Sequence, residues 1–194
     1  MLDLLADERV LETERLRLEP LLPQHAAYLF PVLSDQRIYT YIPDEPVSDQ
    51  DVLLRRYQRL ATRRSPQGDE LWLNWALQRK QEQDYIGALQ ATVSADQQAM
   101  IAYMLHSACW GSGYAQEACR CLLKGLFDTY DLQRVAAEVD TRNQASWRLL
   151  ERLGFRRVAF RQAADHFKGE NSDEYTYELT NKEWHSNVRN TGAV

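Results

Sequence analysis

The 194-residue sequence has only three cysteines, Cys109, Cys119 and Cys121, with no Cys-x-x-Cys pair among them. An odd count at these spacings argues against a disulfide framework and a zinc knuckle; small core residues in a reducing compartment remain as the reading. Proline and glycine are scarce, at six and eight, so long disordered stretches are not expected. No apolar run approaches the ~18 residues of a membrane span. No stretch recurs at a fixed period, which excludes a repeat architecture. Basic residues are in deficit, 23 Lys and Arg against 28 Asp and Glu, for a net charge of −5. Nucleic-acid binding needs clustered basic side chains against phosphates, so a direct nucleic-acid partner is not expected. Residues 1–8 are acidic where a secretory leader would be basic, and a cytoplasmic protein without a membrane partner is the expectation.

What is present fits one domain with a full core. Residues 1–11 read as an N-terminal arm, 12–185 as the domain and 186–194 as a flexible tail. Glu14–Pro20 alternates apolar and charged residues, the period of a strand. Ala26, Leu29, Phe30 and Leu33 recur at helical spacing, and Pro31 is expected to end or kink that helix. Ser34-Asp35 marks a turn, and residues 39–46 form an aromatic, acidic, proline-bearing loop. Ser48-Asp49-Gln50-Asp51 caps a helix that continues to about Arg63. Leu71–Gln78, Asp84–Val93 and Ala99–His106 read as strands, and their short polar breaks predict an antiparallel meander.

A helix follows from Tyr114 to about Tyr130, with Ala115, Ala118, Leu122 and Leu126 on one stripe. Arg134–Asp140 is a Val-bearing strand. Asn143–Leu153 is an amphipathic helix that stops at Gly154, a usual helix-ending residue. Phe155–Arg161 and Glu174–Leu179 read as the last two strands. The order predicts an α/β fold with a mixed sheet.

Two glycines two apart, Gly111 and Gly113, sit between a strand and a helix. Glycine lets the backbone curve so that successive N–H groups converge. The helix start adds unpaired donors and the positive end of its dipole. Gly111, Ser112, Gly113, Tyr114 and Ala115 would then hold phosphate oxygens without a lysine. A plain tight turn would look the same in isolation. No Gly-Lys-Ser/Thr follows, so the loop is not a P-loop, and it lacks the third glycine of a dinucleotide fingerprint.

The run Trp110-Gly111-Ser112-Gly113-Tyr114-Ala115-Gln116-Glu117-Ala118 closely resembles the acetyl-CoA signature of the GNAT N-acetyltransferases. Trp110 stands at the first position of that signature, as in the subgroup of ribosomal-protein alanine N-acetyltransferases. Thr13-Glu14-Arg15-Leu16-Arg17-Leu18, Ser34-Asp35, Asn143-x-x-Ser146, Leu153-Gly154-Phe155 and Glu183-Trp184 resemble further blocks of that subgroup, in order. The resemblance implies a mostly antiparallel central sheet, splayed at one parallel strand pair and flanked by helices. It implies acetyl-CoA as co-substrate, an amine as acceptor and no metal. A monomer or homodimer is expected.

At single positions the resemblance implies the following. Tyr103, Met104 and Leu105 would edge the splay, where a free backbone N–H polarises the thioester carbonyl. Trp110–Ala115 would hold the pyrophosphate. Asn143 would touch the pantetheine arm or cap the helix beside it. Many members carry a Tyr seven residues after the Asn as general acid; here that position is Leu150, which donates nothing. Ser146 is the natural substitute, bonding the cofactor sulfur, although a serine near a helix start also bonds backbone.

The amine must lose a proton, and Glu138, His106 or water could take it. Glu138 and Ser146 are the candidate catalytic side chains. Asp44 and Glu45 would meet a positive acceptor, and Tyr39, Tyr41, Trp72 and Trp75 either line its pocket or belong to the core. The acceptor stays open between a protein N-terminus of ribosomal-protein type and a small amine such as a polyamine, amino acid or aminoglycoside. A non-catalytic acyl-CoA-binding module is the other reading.

Overall fold

The computed structural model describes the backbone of residues 9–191 and the side chains of residues 9–187. Eight strands form one sheet: β1 (Leu11–Glu12), β2 (Leu16–Pro20), β3 (Glu70–Arg79), β4 (Tyr85–Ser94), β5 (Gln98–Leu105), β6 (Arg134–Asp140), β7 (Arg156–Phe167) and β8 (Glu170–Thr180). Their spatial order is β1-β2-β3-β4-β5-β6-β8-β7. Every pairing is antiparallel except β5 with β6. The helices are α1 (His25–Leu33), α2 (Gln50–Leu60), α3 (Tyr114–Asp128), α4 (Gln144–Arg152) and α5 (Asn181–Thr191). The mixed α/β sheet with a single parallel pair matches the sequence expectation.

Strand alternation divides the core between the two faces of the sheet. Leu71, Leu73, Trp75 and Leu77 of β3, with Ile101 and Leu105 of β5, join α3 and α4 in the larger cluster. Ala76 and Met104 turn the other way, into a smaller cluster with Leu29 and Leu33 of α1 and Leu53 and Tyr57 of α2. The register of β3 against β4 shifts between Leu77 and Gln78, so β4 bulges at Ile86–Gly87. A Cβ on Gly87 would lie 2.2 Å from the Met104 carbonyl oxygen. Only glycine permits that approach, at the end of β5 that leaves the sheet.

Several elements differ from the sequence reading. Helix α1 does not stop at Pro31 but runs on to Leu33. Proline in the last turn removes the donor that would meet the Ala27 carbonyl, while the next bonds continue and Ser34 closes the helix by donating both its N–H and its hydroxyl to the Phe30 carbonyl. Helix α2 is capped by Asp49 and ends at Leu60, short of Arg63. The region between the last two strands is not a loop, because β7 and β8 extend into a long hairpin closed at Lys168 and Gly169, both with positive φ. The backbone remains helical in α5 through part of the segment read as a tail, and Trp184 stacks on Phe127 at 5.7 Å. Residues 1–8 of the expected arm and 192–194 of the expected tail lie outside the described residues.

Candidate functional site

Pairing of β5 with β6 is confined to Gln98–Met100 against Arg134–Ala136. Both strands run on, to Leu105 and Asp140, so the sheet opens into a gap beyond Met100. The backbone alternation of an antiparallel ladder fixes what β5 presents there. His106 N–H donates to the Ile86 carbonyl of β4 at 2.8 Å. Met104, two residues earlier, shares that phase, so its peptide groups face β4 and its side chain faces α1 and α2. Tyr103 and Leu105 have the opposite phase and turn their N–H groups toward the gap. Of the three residues expected at this edge, Met104 therefore does not offer its N–H. The Leu105 carbonyl is taken by Trp110 Nε1 at 2.9 Å, which fastens the following loop to the end of the strand.

That loop has the conformation its glycines imply. Gly111 and Gly113 have φ of +74° and +83°, and Gly113 is the N-cap of α3 with no side-chain cap. Among the described residues no acceptor meets the N–H groups of Gly111, Ser112, Gly113, Tyr114 and Ala115. Five donors without acceptors at the start of a 15-residue helix suit an anionic group such as a pyrophosphate.

The loop is held from a distant part of the chain. Arg15 Nη1 donates to the Ser112 carbonyl at 3.0 Å, and its guanidinium lies 4.4 Å over the Tyr114 ring. Arg15 Nε donates to Glu117 Oε2 at 2.7 Å, and the Arg15 backbone N–H donates to Oε1 at 2.8 Å. The Thr13 hydroxyl donates to the same carboxylate. Partial burial pushes the Glu117 carboxyl up, but these bonds from Thr13 and Arg15 outweigh it and hold the group below its ordinary value. The sequence reading did not single out Arg15 for this role; its only trace was membership of the Thr13–Leu18 motif.

On the other side of the gap, the turn from β6 to α4 is built on Asp140. Burial pushes this carboxyl up, but hydrogen bonds from Arg142 and Ser172 more than compensate and keep it ionised. Ser172 Oγ donates to Asp140 Oδ2 at 2.7 Å, and Arg142 Nη2 donates to the same oxygen at 2.7 Å. Asn143 caps α4, its Oδ1 accepting the Ser146 N–H at 3.1 Å. The Ser146 hydroxyl is not spent on backbone; it lies 2.8 Å from the Tyr103 phenol, which spans the gap from β5. Burial raises the Tyr103 phenol well above its ordinary value, so it keeps its proton. Leu150 is only 1% exposed and belongs to the larger core. The phenol near Ser146 thus comes from a strand, not from the helix.

Glu138 is exposed, on the face of β6 that α2 shares, with its carboxylate 3.6 Å from Arg161. His106 stands apart, beside Asp84, whose carboxyl is held low first by Arg79 and to a smaller degree by His106. Tyr39 and Trp75 are core residues at 2% exposure, and the Tyr39 hydroxyl donates to the Leu33 carbonyl. Trp72 Nε1 donates to Glu70. Cys109, Cys119 and Cys121 are free, and burial pushes the Cys119 thiol up to about 12. Among the described residues no His, Cys, Asp and Glu side chains group as a metal site, and no helix is long and apolar enough to cross a membrane.

Residues 15–156 match the family described as the acetyltransferase (GNAT) domain. The uncharacterized N-acetyltransferase YoaA of Bacillus subtilis is 27% identical over 150 residues, covering 76% of this chain and 83% of that protein. A probable GNAT-family acetyltransferase of Chromobacterium violaceum is 25% identical with a TM-score of 0.78, covering 93% of this chain and 90% of that one. RimL, a ribosomal L7/L12 alpha-N-protein acetyltransferase solved with coenzyme A, shares the fold at 18% identity and a TM-score of 0.79, covering 89% and 98%. Splayed strands, glycine loop and sequence likeness agree: the chain belongs to the GNAT acetyltransferase family and is an acetyl-CoA-dependent N-acetyltransferase.

Proposed function

We propose that the chain acetylates the N-terminal amine of a protein, holding the acetyl-CoA pyrophosphate on the 111–115 loop and the pantetheine arm in the β5–β6 gap. The observation that carries this reading is the gap itself, opening beside five unpaired N–H donors. The acceptor side of the gap is broad: Met100 is 39% exposed, and Ala102 and Glu138 are also exposed. A surface of that kind suits a chain end more than an enclosed small amine, and the shared fold with RimL points the same way.

Acetyl-CoA supplies the acetyl group as an activated thioester. The Leu105 and Tyr103 N–H groups face the oxygen that gains negative charge. Glu138 takes the amine proton, directly or through one water. Ser146, backed by Tyr103, donates a hydrogen bond to the departing sulfur. The unbonded cysteines fit a cytoplasmic setting.

Thiol release from acetyl-CoA tests the reading, with peptides of varied N-terminal residue set against a polyamine, free amino acids and an aminoglycoside. Peptides are expected to lead in kcat/KM by at least about tenfold, or ~1.4 kcal/mol of transition-state binding. Small amines outrunning every peptide would replace the substrate class, and tight acetyl-CoA binding without any accelerated thiol release would favour a binding module. Glu138→Gln is expected to lower kcat about tenfold, since water reaches this exposed position and replaces part of the base. Its acetyl-CoA affinity should match the parent's.

Arg15→Ala tests the loop clamp. Removing it frees the Ser112 carbonyl and unlocks Glu117. The acetyl-CoA KM should rise about fivefold to tenfold, as expected for charge-assisted bonds at a half-exposed site. An unchanged KM would show that the loop holds its shape alone.

A further inference from the structure

Helix α2 carries Arg55, Arg56 and Arg59, all exposed, within five positions. With Val52 and Asp44 they line a cavity between α2 and the loop that precedes it. Several arginines in this acidic chain sit against carboxylates, among them Arg15 on Glu117, Arg37 on Asp35, Arg79 on Asp84, Arg142 on Asp140 and Arg161 on Glu174. Arg120, Arg148, Arg152 and Arg157 stand without one among the described residues. Among the described residues, none of the three on α2 has a carboxylate within 4.0 Å, the Asp44 facing them included. Like charges at the i, i+4 spacing of Arg55 and Arg59 disfavour a helix by a few tenths of a kcal/mol. Among the described residues, Asp51 four positions before Arg55 and Asp44 across the cavity are nearby anions, but neither closes an ion pair with them. The acidic loop expected to meet a cationic acceptor is thus outnumbered by positive charge.

The position of the strip relates it to the acceptor side of the gap. Leu53 and Tyr57 anchor α2 on the smaller cluster, the one that receives Met104 from β5. Glu138 lies on that same face of the sheet. The loop forming the far wall is tied to the β7–β8 turn, where Lys168 Nζ donates to the carbonyls of Tyr39, Ile42 and Asp44. The glycine loop starts α3, which packs on the opposite face. The arginines therefore do not belong to the cofactor's pyrophosphate.

We infer that the Arg55–Arg56–Arg59 strip docks acidic side chains of the acceptor protein, a few residues beyond the N-terminus that enters the gap. The inference rests on the protein-N-terminus reading, and it adds that the acceptor is an acidic chain segment. Guanidinium forks match carboxylates bidentately, and three of them along one helix flank read a run of Asp and Glu. The same charges speed encounter with an acidic partner at low salt.

The test uses a fluorescent peptide rich in Asp and Glu with its N-terminus already acetylated, and the same peptide with Gln and Asn, titrated into the CoA-saturated protein by anisotropy. A blocked peptide cannot turn over, so docking is read separately from acetylation. The acidic peptide should bind at least about tenfold tighter and lose that margin at high salt. Arg55→Gln/Arg56→Gln/Arg59→Gln should remove the margin, and replacement by Lys at all three should keep part of it. Circular dichroism checks that these exposed substitutions leave the fold intact. Equal affinity for the two peptides, parental affinity in the Gln variant, or tighter capture of a single-stranded RNA of equal charge would each overturn the inference. Failure of all peptides as acetyl acceptors, with docking intact, would instead count against the proposed substrate class.

Discussion

Gly113→Asp is expected to lower acetyl-CoA affinity by at least about a hundredfold, or ~2.7 kcal/mol, while the protein still folds. Gly113 has φ of +83°, a conformation that Asp and Asn enter at modest cost and other side chains resist. A Cβ there meets only the far end of Arg15, at 3.4 Å. The side chain thus fits sterically, and its charge lies in the loop whose five N–H groups have no acceptor among the described residues. Two like charges about 4 Å apart repel by roughly 4 kcal/mol at an effective dielectric of 20. Arg15 does not relieve this, because its guanidinium is engaged with Glu117 and Ser112. Gly113→Asn is the control: same shape, no charge, and an expected loss of no more than about tenfold. Calorimetric titration with acetyl-CoA separates the cases. Equal losses in both variants would assign the defect to backbone strain, and parental affinity in the Asp variant would remove the pyrophosphate from this loop.

How much of this was legible in the sequence follows from the range of each interaction. The glycine loop was readable because its signal is local: two residues that permit positive φ, directly before an apolar helical stripe. The sheet order was readable where strands alternate against a core, as in β3, β4 and β5. In β7 the start was readable as a strand to Arg161, but its extension to Phe167 was not, because the side chains are exposed along most of its length and carry no alternation. Helix α5 begins with polar residues and, among its described side chains, is buried only at Trp184. The Arg15 clamp joins residues 102 and 97 positions apart, and no spacing rule encodes such a contact. Leu150 could be read as a missing proton donor, yet the phenol that takes its place comes from 43 residues before Ser146. The arginines of α2 were visible, but a charged helix face is usually just solvated; what sets them apart in three dimensions is that three of them line one cavity without an ion pair among the described residues.

The Tyr103–Ser146 pair predicts a non-additive loss of turnover. Ser146→Ala should lower kcat about fiftyfold, within the range for a positioned proton donor, and Tyr103→Phe about tenfold. If the phenol acts by orienting one serine hydroxyl, the double variant should be no worse than Ser146→Ala. The coupling is then about tenfold, ~1.4 kcal/mol in a double-mutant cycle. Burial keeps the Tyr103 proton on the phenol, which reaches both the Ser146 hydroxyl at 2.8 Å and the Ser146 carbonyl at 3.4 Å; between the two hydroxyls either can be the donor. The orienting role requires the arrangement in which the phenol donates to Ser146 Oγ, which leaves the serine proton free to point into the gap. Phe at 103 keeps the ring that packs on the larger core and deletes only the hydroxyl. The acetyl-CoA KM should therefore stay within about threefold in all three variants, because their loss falls on the transition state. Losses that simply multiply would separate the two hydroxyls into independent roles. A rise in KM matching the fall in kcat/KM would place the pair in cofactor binding instead.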